Sequence, residues 1–248
     1  MKKLAILVVA ATMMAACGGG GIGGGSKSGL KTSGFFGRIP AIYADYALAE
    51  KAHRKEAEAF MKEIGLTQEM IDEGREDEVL KALDSKAQEK IMKRAEALDE
   101  KMQESRRLRD AALDTEKIKL AGKPVPFTVS DAFKRLNIEV LEARMCDDKI
   151  GFEARIVAKE DFEITRDNSR MYDYVCYREV AKDGSTIYAG LKKIRHSRGN
   201  IKKGWTMINE GSFGFYLTKH PEHYVDFERI EFINWEEYNK YNEEARIK

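Results

Sequence analysis

The sequence predicts an α+β fold: a long N-terminal α-helical hairpin, coiled-coil-like, precedes an antiparallel β-sandwich or small barrel and a short C-terminal helix. Apolar residues recur every three or four positions between residues 40 and 116, which is the period of a helix that buries one face. Glycine and proline then cluster at 122–126, where we place the boundary between helices and strands. Beyond that boundary apolar and polar residues alternate, as they do in half-buried strands.

Residues 1–16 have the composition of a cleavable secretory signal. Lys2 and Lys3 begin the segment, an apolar stretch extends to Ala16, and small residues precede Cys17. The apolar stretch is shorter than the roughly 20 residues that a membrane-spanning helix needs. The tetrapeptide Met-Ala-Ala-Cys at 14–17 resembles the lipobox of bacterial lipoproteins, in which signal peptidase II cleaves before a diacylglyceryl cysteine.

This resemblance implies that Cys17 is lipidated, with acyl chains such as palmitate, and that it anchors the protein in the cell envelope. In that family an aspartate after the cysteine favours the inner membrane, so Gly18 implies the outer membrane. Met14 departs from the leucine that the family usually has at this position. The alternative is an ordinary secreted protein that is cleaved after Ala15 or Ala16.

The lipidated cysteine and a glycine- and serine-rich tether make up residues 17–34. A flexible coil of 17 residues has an end-to-end distance of roughly 23 Å. A phosphate-binding loop would need Gly-Lys-Ser/Thr after four spacer residues. Ser26 separates Gly25 from Lys27, so we do not expect nucleotide binding.

The helical region is predicted to cover residues 35–122. Its first helix has an apolar face that ends at Ile64, and Gly65 is expected to adopt the left-handed conformation that terminates many helices. Thr67 is expected to cap a short helix that follows. His53 falls on the apolar face, where we expect a core or interface histidine rather than a ligand.

A long helix is predicted over 76–116, because this segment contains no proline or glycine after Asp77. At 1.5 Å per residue it would extend roughly 60 Å. Its narrow, alanine-rich face favours close packing against the first helix as an antiparallel hairpin. The longer arm of this hairpin would then overhang, or pair with a second copy of the chain in a homodimer.

The β-domain is predicted over 123–233. A change of phase between Val140 and Leu141 indicates a β-bulge. Two short turns, at 147–149 and 183–184, are expected to join neighbouring strands. Later strands are predicted at 171–180, 186–195, 205–209, 212–218 and 223–233. A C-terminal helix over 234–248 should be capped by Asn234 together with Glu237.

The charge of the chain is balanced, with 43 basic and 42 acidic residues. Cleavage before Cys17 would remove Lys2 and Lys3, so the basic count falls from 43 to 41 against the same 42 acids. This balance argues against a dedicated nucleic-acid-binding protein. In an exported protein Cys146 and Cys176 could form a disulfide, and buried free thiols are the alternative.

A basic segment is the leading candidate for binding an anionic partner. It contains Lys192, Lys193, Arg195, His196, Arg198, Lys202 and Lys203. Gly199-Asn200 lies within it and predicts the tip of a hairpin. Such a tip could bind lipid headgroups, an acidic glycan or an acidic protein surface. The alternative is a solvated loop whose charges keep strand edges from aggregating.

No catalytic residue, cofactor or metal site is predicted. The segment His220-Pro221-Glu222-His223, with Asp226 beyond it, has the residue types of a metal site. Its proline indicates a turn, and no further ligand lies at a convincing spacing, so a polar loop is the default interpretation. The dense C-terminal aromatic residues are expected to form the core, with an exposed sugar-binding platform as the alternative.

These observations favour a lipid-anchored cell-envelope protein with a structural or binding role. In this interpretation the β-domain is presented to a partner protein or an envelope polymer. The alternative is an exported hydrolase or a small-ligand-binding lipoprotein whose site lies in the β-domain, which would require a pocket with a few convergent polar groups.

Overall fold

The protein is described from a computed structural model, which covers residues 29–30, 34–133, 135–147, 149–169, 174–193, 199–215, 217 and 220–246. The signal segment and Cys17 lie outside these described residues. The fold is α+β, as predicted, with a helical region over 39–120 followed by mostly antiparallel sheets. The chain divides into two compact units. Unit 1 contains Ala41–Asp114, and unit 2 contains Lys31–Pro40 and Thr115–Lys248.

The helical region consists of α1 (Ile39–Ile64), α2 (Gln68–Asp72), α3 (Glu76–Lys81) and α4 (Ser85–Leu120). Within the described ranges, no helix is both long enough and apolar enough to cross a membrane. The end of α1 and the start of α2 are formed by the residues that the sequence predicts. Gly65 has φ 75°, Leu66 N donates to Met61 O at 2.9 Å, and Thr67 Oγ1 accepts from Met70 N at 3.2 Å.

The predicted uninterrupted helix over 76–116 is wrong, because residues 82–84 separate α3 from α4. Asp84 Oδ1 accepts a hydrogen bond from Ala87 N at 2.7 Å, so Asp84 caps the start of α4. An aspartate at this position satisfies an amide that would otherwise lack a partner at the new helix terminus. Apolar residues keep their helical spacing across residues 82–84, so the sequence pattern did not reveal this break.

Within unit 1, side chains of α1 and α4 contact one another along much of their length. One apolar cluster contains Met61, Leu66 and Met92, and a second contains Phe60, Ala95 and Leu98. Polar contacts join Arg94 to Glu63 at 2.6 Å, Lys101 to Glu56 at 2.8 Å, and His53 Nε2 to Ser105 Oγ at 3.0 Å. His53 is half-buried and occupies the interhelical position that the sequence predicts.

The strands of unit 2 form three sheets, with the orders β1-β9-β5-β6, β2-β3-β8 and β4-β7. None of these sheets, over the residues described, closes on itself. The strands are β1 (Phe127–Val129), β2 (Leu136–Cys146), β3 (Lys149–Ala158), β4 (Phe162–Ile164), β5 (Tyr174–Ala181), β6 (Thr186–Lys193), β7 (Gly199–Ile201), β8 (Thr206–Gly214) and β9 (Phe227–Ile233). The bulge is confirmed, since the register of β2 on β3 shifts between Val140 and Glu142.

Strand β1 corrects the expectation of a wholly antiparallel β-domain. It pairs in parallel with β9, with Phe127 opposite Ile230 and Val129 opposite Phe232. Antiparallel strands can be joined by a tight hairpin, whereas parallel strands need a long connection. Residues 130–226 lie between β1 and β9 in the sequence, so this requirement is met.

The two strands predicted at 205–209 and 212–218 are a single strand, β8. Gly211, between the two predicted ranges, lies opposite Phe152 in the ladder. A Cβ atom at residue 211 would lie 2.5 Å from the Phe152 ring. Gly190, on β6, meets the ring of Tyr177 on β5 in the same way, also at 2.5 Å. Both glycines are therefore required by packing within the sheets.

Aromatic rings form the centre of unit 2. The rings of Tyr177 on β5 and Phe213 on β8 stack with centroids 3.7 Å apart. Phe152 on β3 lies 5.5 Å from Phe232 on β9. These contacts join the four-stranded sheet to the three-stranded sheet, and they confirm that the predicted C-terminal aromatic residues contribute to a core.

The C-terminal helix α5 (Trp235–Arg246) is capped as predicted. Glu237 N donates to Asn234 Oδ1 at 2.8 Å, and Asn234 N donates to Glu237 Oε2 at 3.0 Å. Asn234 Nδ2 also donates to Ala132 O at 3.0 Å. The cap therefore fixes both the start of α5 and the segment that follows β1.

We expect Asn234→Ala to lower the free energy of unfolding by about 1–2 kcal/mol, because the cap of α5 is lost. The measurement is urea unfolding followed by circular dichroism. Asn239→Ala is the matched control, since Asn239 is exposed within the same helix and alanine has the higher helix propensity there. Equal destabilisation by the two variants would contradict a capping role for Asn234.

Candidate functional site

The structure describes four of the seven residues of the basic segment, namely Lys192, Lys193, Lys202 and Lys203. Lys192 and Lys193 end β6, which lies at the edge of the four-stranded sheet. Arg195, His196 and Arg198 lie outside the described residues. The predicted hairpin tip at Gly199-Asn200 is wrong, because these residues begin β7 and pair with β4.

Lys202 and Lys203 follow β7, and both donate to one carboxylate, Lys202 through its side chain and Lys203 through its backbone amide. Lys202 Nζ donates to Asp161 Oδ2 at 2.7 Å, and Lys203 N donates to Asp161 Oδ1 at 2.8 Å. These contacts lower the pKa of Asp161, with the Lys202 hydrogen bond as the largest cause. The charge of Lys202 is therefore partly neutralised, whereas no described carboxylate lies within ion-pair distance of Lys192 or Lys193.

The two cysteines of the β-domain are both free thiols. Cys146 is exposed at the end of β2, in the three-stranded sheet, and Cys176 is buried in β5, in the four-stranded sheet. Burial raises the pKa of the Cys176 thiol to about 12. The disulfide that the sequence allowed is thus absent, and Cys176 fits the alternative of a buried free thiol.

A buried carboxyl on β5 is the most unusual polar group of unit 2, and the sequence analysis did not single it out. Glu179 has no exposed surface. The hydroxyl of Tyr224 donates to Glu179 Oε2, while Oε1 has no hydrogen-bond partner among the described residues. Burial raises the pKa of Glu179 to about 8, and the Tyr224 hydrogen bond opposes part of this shift.

Tyr224 is held in place by its ring as well as by its hydroxyl. It ends a 3₁₀ turn, Pro221–Tyr224, and its ring packs edge-on against Phe36 at 5.7 Å and against Phe215 at 5.8 Å. Pro221 is buried as well. The inner face of this turn is therefore fixed by the core of unit 2.

The outer face of the same turn brings three potential metal ligands together. His220, Glu222 and His223 are exposed, and one ligand atom from each lies within 4.8 Å of the others. His220 Nδ1 is 3.6 Å from Glu222 Oε1, and His223 Nε2 is 3.7 Å from the same oxygen. The polar loop expected from the sequence is thus an ordered cluster, which we call the HEH cluster.

An open depression of about 470 Å³ adjoins the HEH cluster. Its lining includes Glu222 and His223 of the cluster and the carboxylates of Asp183 and Asp226. Lys182 also lines it and lies 3.8 Å from Asp226. With three carboxylates and one ammonium group, the depression favours a cation over an anion.

A signal for Glu179 was present in the sequence, although a weak one. Residues 174–181 read Tyr-Val-Cys-Tyr-Arg-Glu-Val-Ala, and both neighbours of the Arg-Glu pair are apolar or aromatic. A strand with apolar residues on both faces is covered on both sides. A carboxylate within such a strand must then be buried, which is rare without a partner.

We expect the stability of the wild-type protein to fall as pH rises from about 4.5 to about 8. The Glu179 carboxyl has its ordinary pKa of 4.5 in the unfolded chain and a pKa of about 8 in the folded protein. Below pH 4.5 it is protonated in both the folded and the unfolded state, whereas between pH 4.5 and 8 only the folded protein retains the proton. The unfolding free energy should therefore decrease by up to about 1.4 kcal/mol per pH unit in this interval.

This dependence can be measured by denaturant unfolding at a series of pH values. Glu179→Gln should remove it, because the amide has no proton to lose in this range. Glu163→Gln, at an exposed glutamate of β4, is the control and should leave the dependence unchanged. A pH profile that is the same in wild type and Glu179→Gln would contradict the assignment.

Comparison with known proteins gives no match for this chain, whether to a family model, to a curated protein or to a solved structure. Of the basic segment, the Glu179–Tyr224 pair and the HEH cluster, the HEH cluster alone combines exposed ligand atoms with a fixed backbone.

Proposed function

We propose that this protein is a lipid-anchored component of the bacterial cell envelope with a structural or binding role. The observation that carries the proposal is Cys17, which follows a charged and apolar leader and precedes a glycine-rich stretch. One acyl chain holds a protein to a membrane only marginally, so stable anchoring requires the further chains that lipoproteins carry. Gly18 favours the outer membrane in this proposal.

In the proposed architecture, α1 and α4 form an antiparallel, coiled-coil-like hairpin. Glu63, near the end of α1, pairs with Arg94, whereas the earlier Glu56 pairs with Lys101, which lies further along α4. This order of the pairs supports an antiparallel arrangement. Ala95 has no exposed surface, as expected where two helices approach closely. A homodimer through the helical region remains part of the proposal, and Leu108, which is 63% exposed, is an apolar side chain that a second copy could cover.

The finer architecture proposed for unit 2 is a β-sandwich. The stacked rings of Tyr177 and Phe213, and the contact of Phe152 with Phe232, support it, because they join the inner faces of two sheets. Gly190, opposite Tyr177 on β6, leaves room for that ring on the face of the four-stranded sheet. Unit 2 is the part that we propose to be presented to a partner.

The proposed binding surface is the basic segment, and the proposed partner is an anionic envelope polymer or an acidic protein. Lys192 and Lys193 lie at the exposed end of an edge strand. Positive charges at such an edge discourage pairing with a strand of another molecule, and this protection against aggregation is the alternative to a binding role. They also attract an anionic surface, and this attraction weakens as ionic strength rises.

The anchor is tested by labelling cells with a radioactive or clickable fatty acid. Wild-type protein should be labelled and should fractionate with membranes, whereas Cys17→Ser should lose the label, because only the thiol at residue 17 accepts the lipid. Cys146→Ser is the matched control and should be labelled like the wild type, although it also removes a thiol. Equal labelling of Cys17→Ser and wild type would refute the anchor.

The binding surface is tested with immobilised heparin and with vesicles of phosphatidylglycerol, which separate a glycan from a headgroup preference. Replacing Lys192, Lys193, Arg195 and Arg198 by alanine should lower the salt concentration that elutes the protein, because four positive charges are lost. The control replaces four exposed lysines of the helical region, Lys51, Lys55, Lys86 and Lys90, and so has the same net charge. Identical elution of the two variants would show that the basic segment is not the binding surface.

A further inference from the structure

We propose that the HEH cluster (His220, Glu222 and His223) binds one divalent transition-metal ion of the zinc type. Its three protein ligands would leave a coordination position open towards the adjoining depression. This inference goes beyond the proposed anchor and anionic partner, and it depends on neither. The backbone of the turn, two interatomic distances and the charge of the depression support it.

The start of the 3₁₀ turn brings the two histidines to the same side. His220 is the residue before the turn, with φ −136° and ψ 60°, and His223 is the third residue within it. Hydrogen bonds in a 3₁₀ helix join positions i and i+3, and His223 N donates to His220 O at 3.2 Å. Their rings accordingly stack, with centroids 5.3 Å apart and planes 11° apart.

The distances within the cluster are close to those of ligands that share an ion. Zn²⁺ binds imidazole nitrogen and carboxylate oxygen at about 2.0–2.1 Å, so the edge of the coordination tetrahedron is about 3.3–3.4 Å. The two nitrogen–oxygen distances to Glu222 Oε1 are 3.6 and 3.7 Å. Both exceed a good hydrogen bond, so the three side chains are close to one another without being bonded together.

Binding requires only a small change in the side chains. The parallel rings must turn for both nitrogen lone pairs to point at one ion, and torsions between sp³ and sp² atoms have broad energy minima. The His220, Glu222 and His223 side chains are 60%, 49% and 52% exposed, so this rotation breaks no core packing. Meanwhile Pro221 and Tyr224 hold the backbone of the turn in the core, which leaves the ligands positioned before the ion arrives.

The donor set selects the kind of ion. Two imidazoles favour zinc and its transition-metal neighbours, whereas calcium and magnesium prefer oxygen ligands. Two histidines and one glutamate, with the fourth position available to water or a ligand, form the arrangement found in zinc sites that are not purely structural. The carboxylates of Asp183 and Asp226 in the depression add to the attraction for a cation.

The test uses the full-length chain, purified in detergent, with Cys146→Ser to remove the exposed thiol as a competing ligand. Titration with Co²⁺, followed by visible absorption, reports nitrogen and oxygen coordination, and competition with Zn²⁺ gives the affinity. We expect one ion per chain. His220→Ala and His223→Ala should each weaken binding by at least about tenfold, because each removes one of three ligands. Excess Zn²⁺ should raise the unfolding temperature of the parent protein but not that of the double histidine variant.

His53→Ala is the matched control, since His53 lies in unit 1 and bonds to Ser105. It should leave the affinity unchanged, and circular dichroism should show that each variant retains the parent's secondary structure. Three results would overturn the proposal: no one-to-one binding below millimolar Zn²⁺, undiminished affinity in the double histidine variant, or equal losses in that variant and His53→Ala.

Discussion

The buried carboxyl of Glu179 is the constraint on which the rest of unit 2 depends. A carboxyl group within a sheet that is covered on both faces must be protonated or hydrogen-bonded, because an ionised group in an apolar environment is costly. Tyr224 supplies that hydrogen bond from a turn far along the chain. The same ring closes an aromatic cluster with Phe36 and Phe215, so one polar contact determines where the segment before β9 and the segment before α1 can lie.

This constraint gives the 3₁₀ turn two faces with different roles. Pro221 and Tyr224 are buried in the core, and the three residues of the HEH cluster consequently face solvent. An exposed loop would ordinarily present such side chains in many conformations, and ordering them would oppose ligand binding. Here the cost of ordering the backbone is met by the packing of Tyr224. The geometry of the candidate metal site is therefore a consequence of the core rather than of the exposed residues themselves.

Most features that depend on neighbouring residues could be predicted from the sequence, with the cap at Asp84 as an exception, whereas pairings between distant residues could not. Gly65, Thr67 and Asn234 were correctly assigned as helix-terminal residues, because a cap is formed within one turn. One strand, β8, was predicted as two, because the pairing of Gly211 with Phe152 joins residues that are remote in sequence. For the same reason the β4–β7 pairing and the parallel β1–β9 pairing were missed. Of the candidate site, the residue types of the HEH cluster were visible, but the contact between Tyr224 and Glu179 that orders them was not.

The charges of unit 2 suit the two ligands that we propose for it. Charged side chains pair with one another in both units, as in Glu63–Arg94 of unit 1 and Lys202–Asp161 of unit 2, and exposed pairs of this kind contribute little to stability. In unit 2, Lys192 and Lys193 also place positive charge at a sheet edge, and three carboxylates line the depression beside the HEH cluster. Two surfaces of opposite sign on one small unit favour two different ligands, an anionic partner and a cation, over a single extended interface.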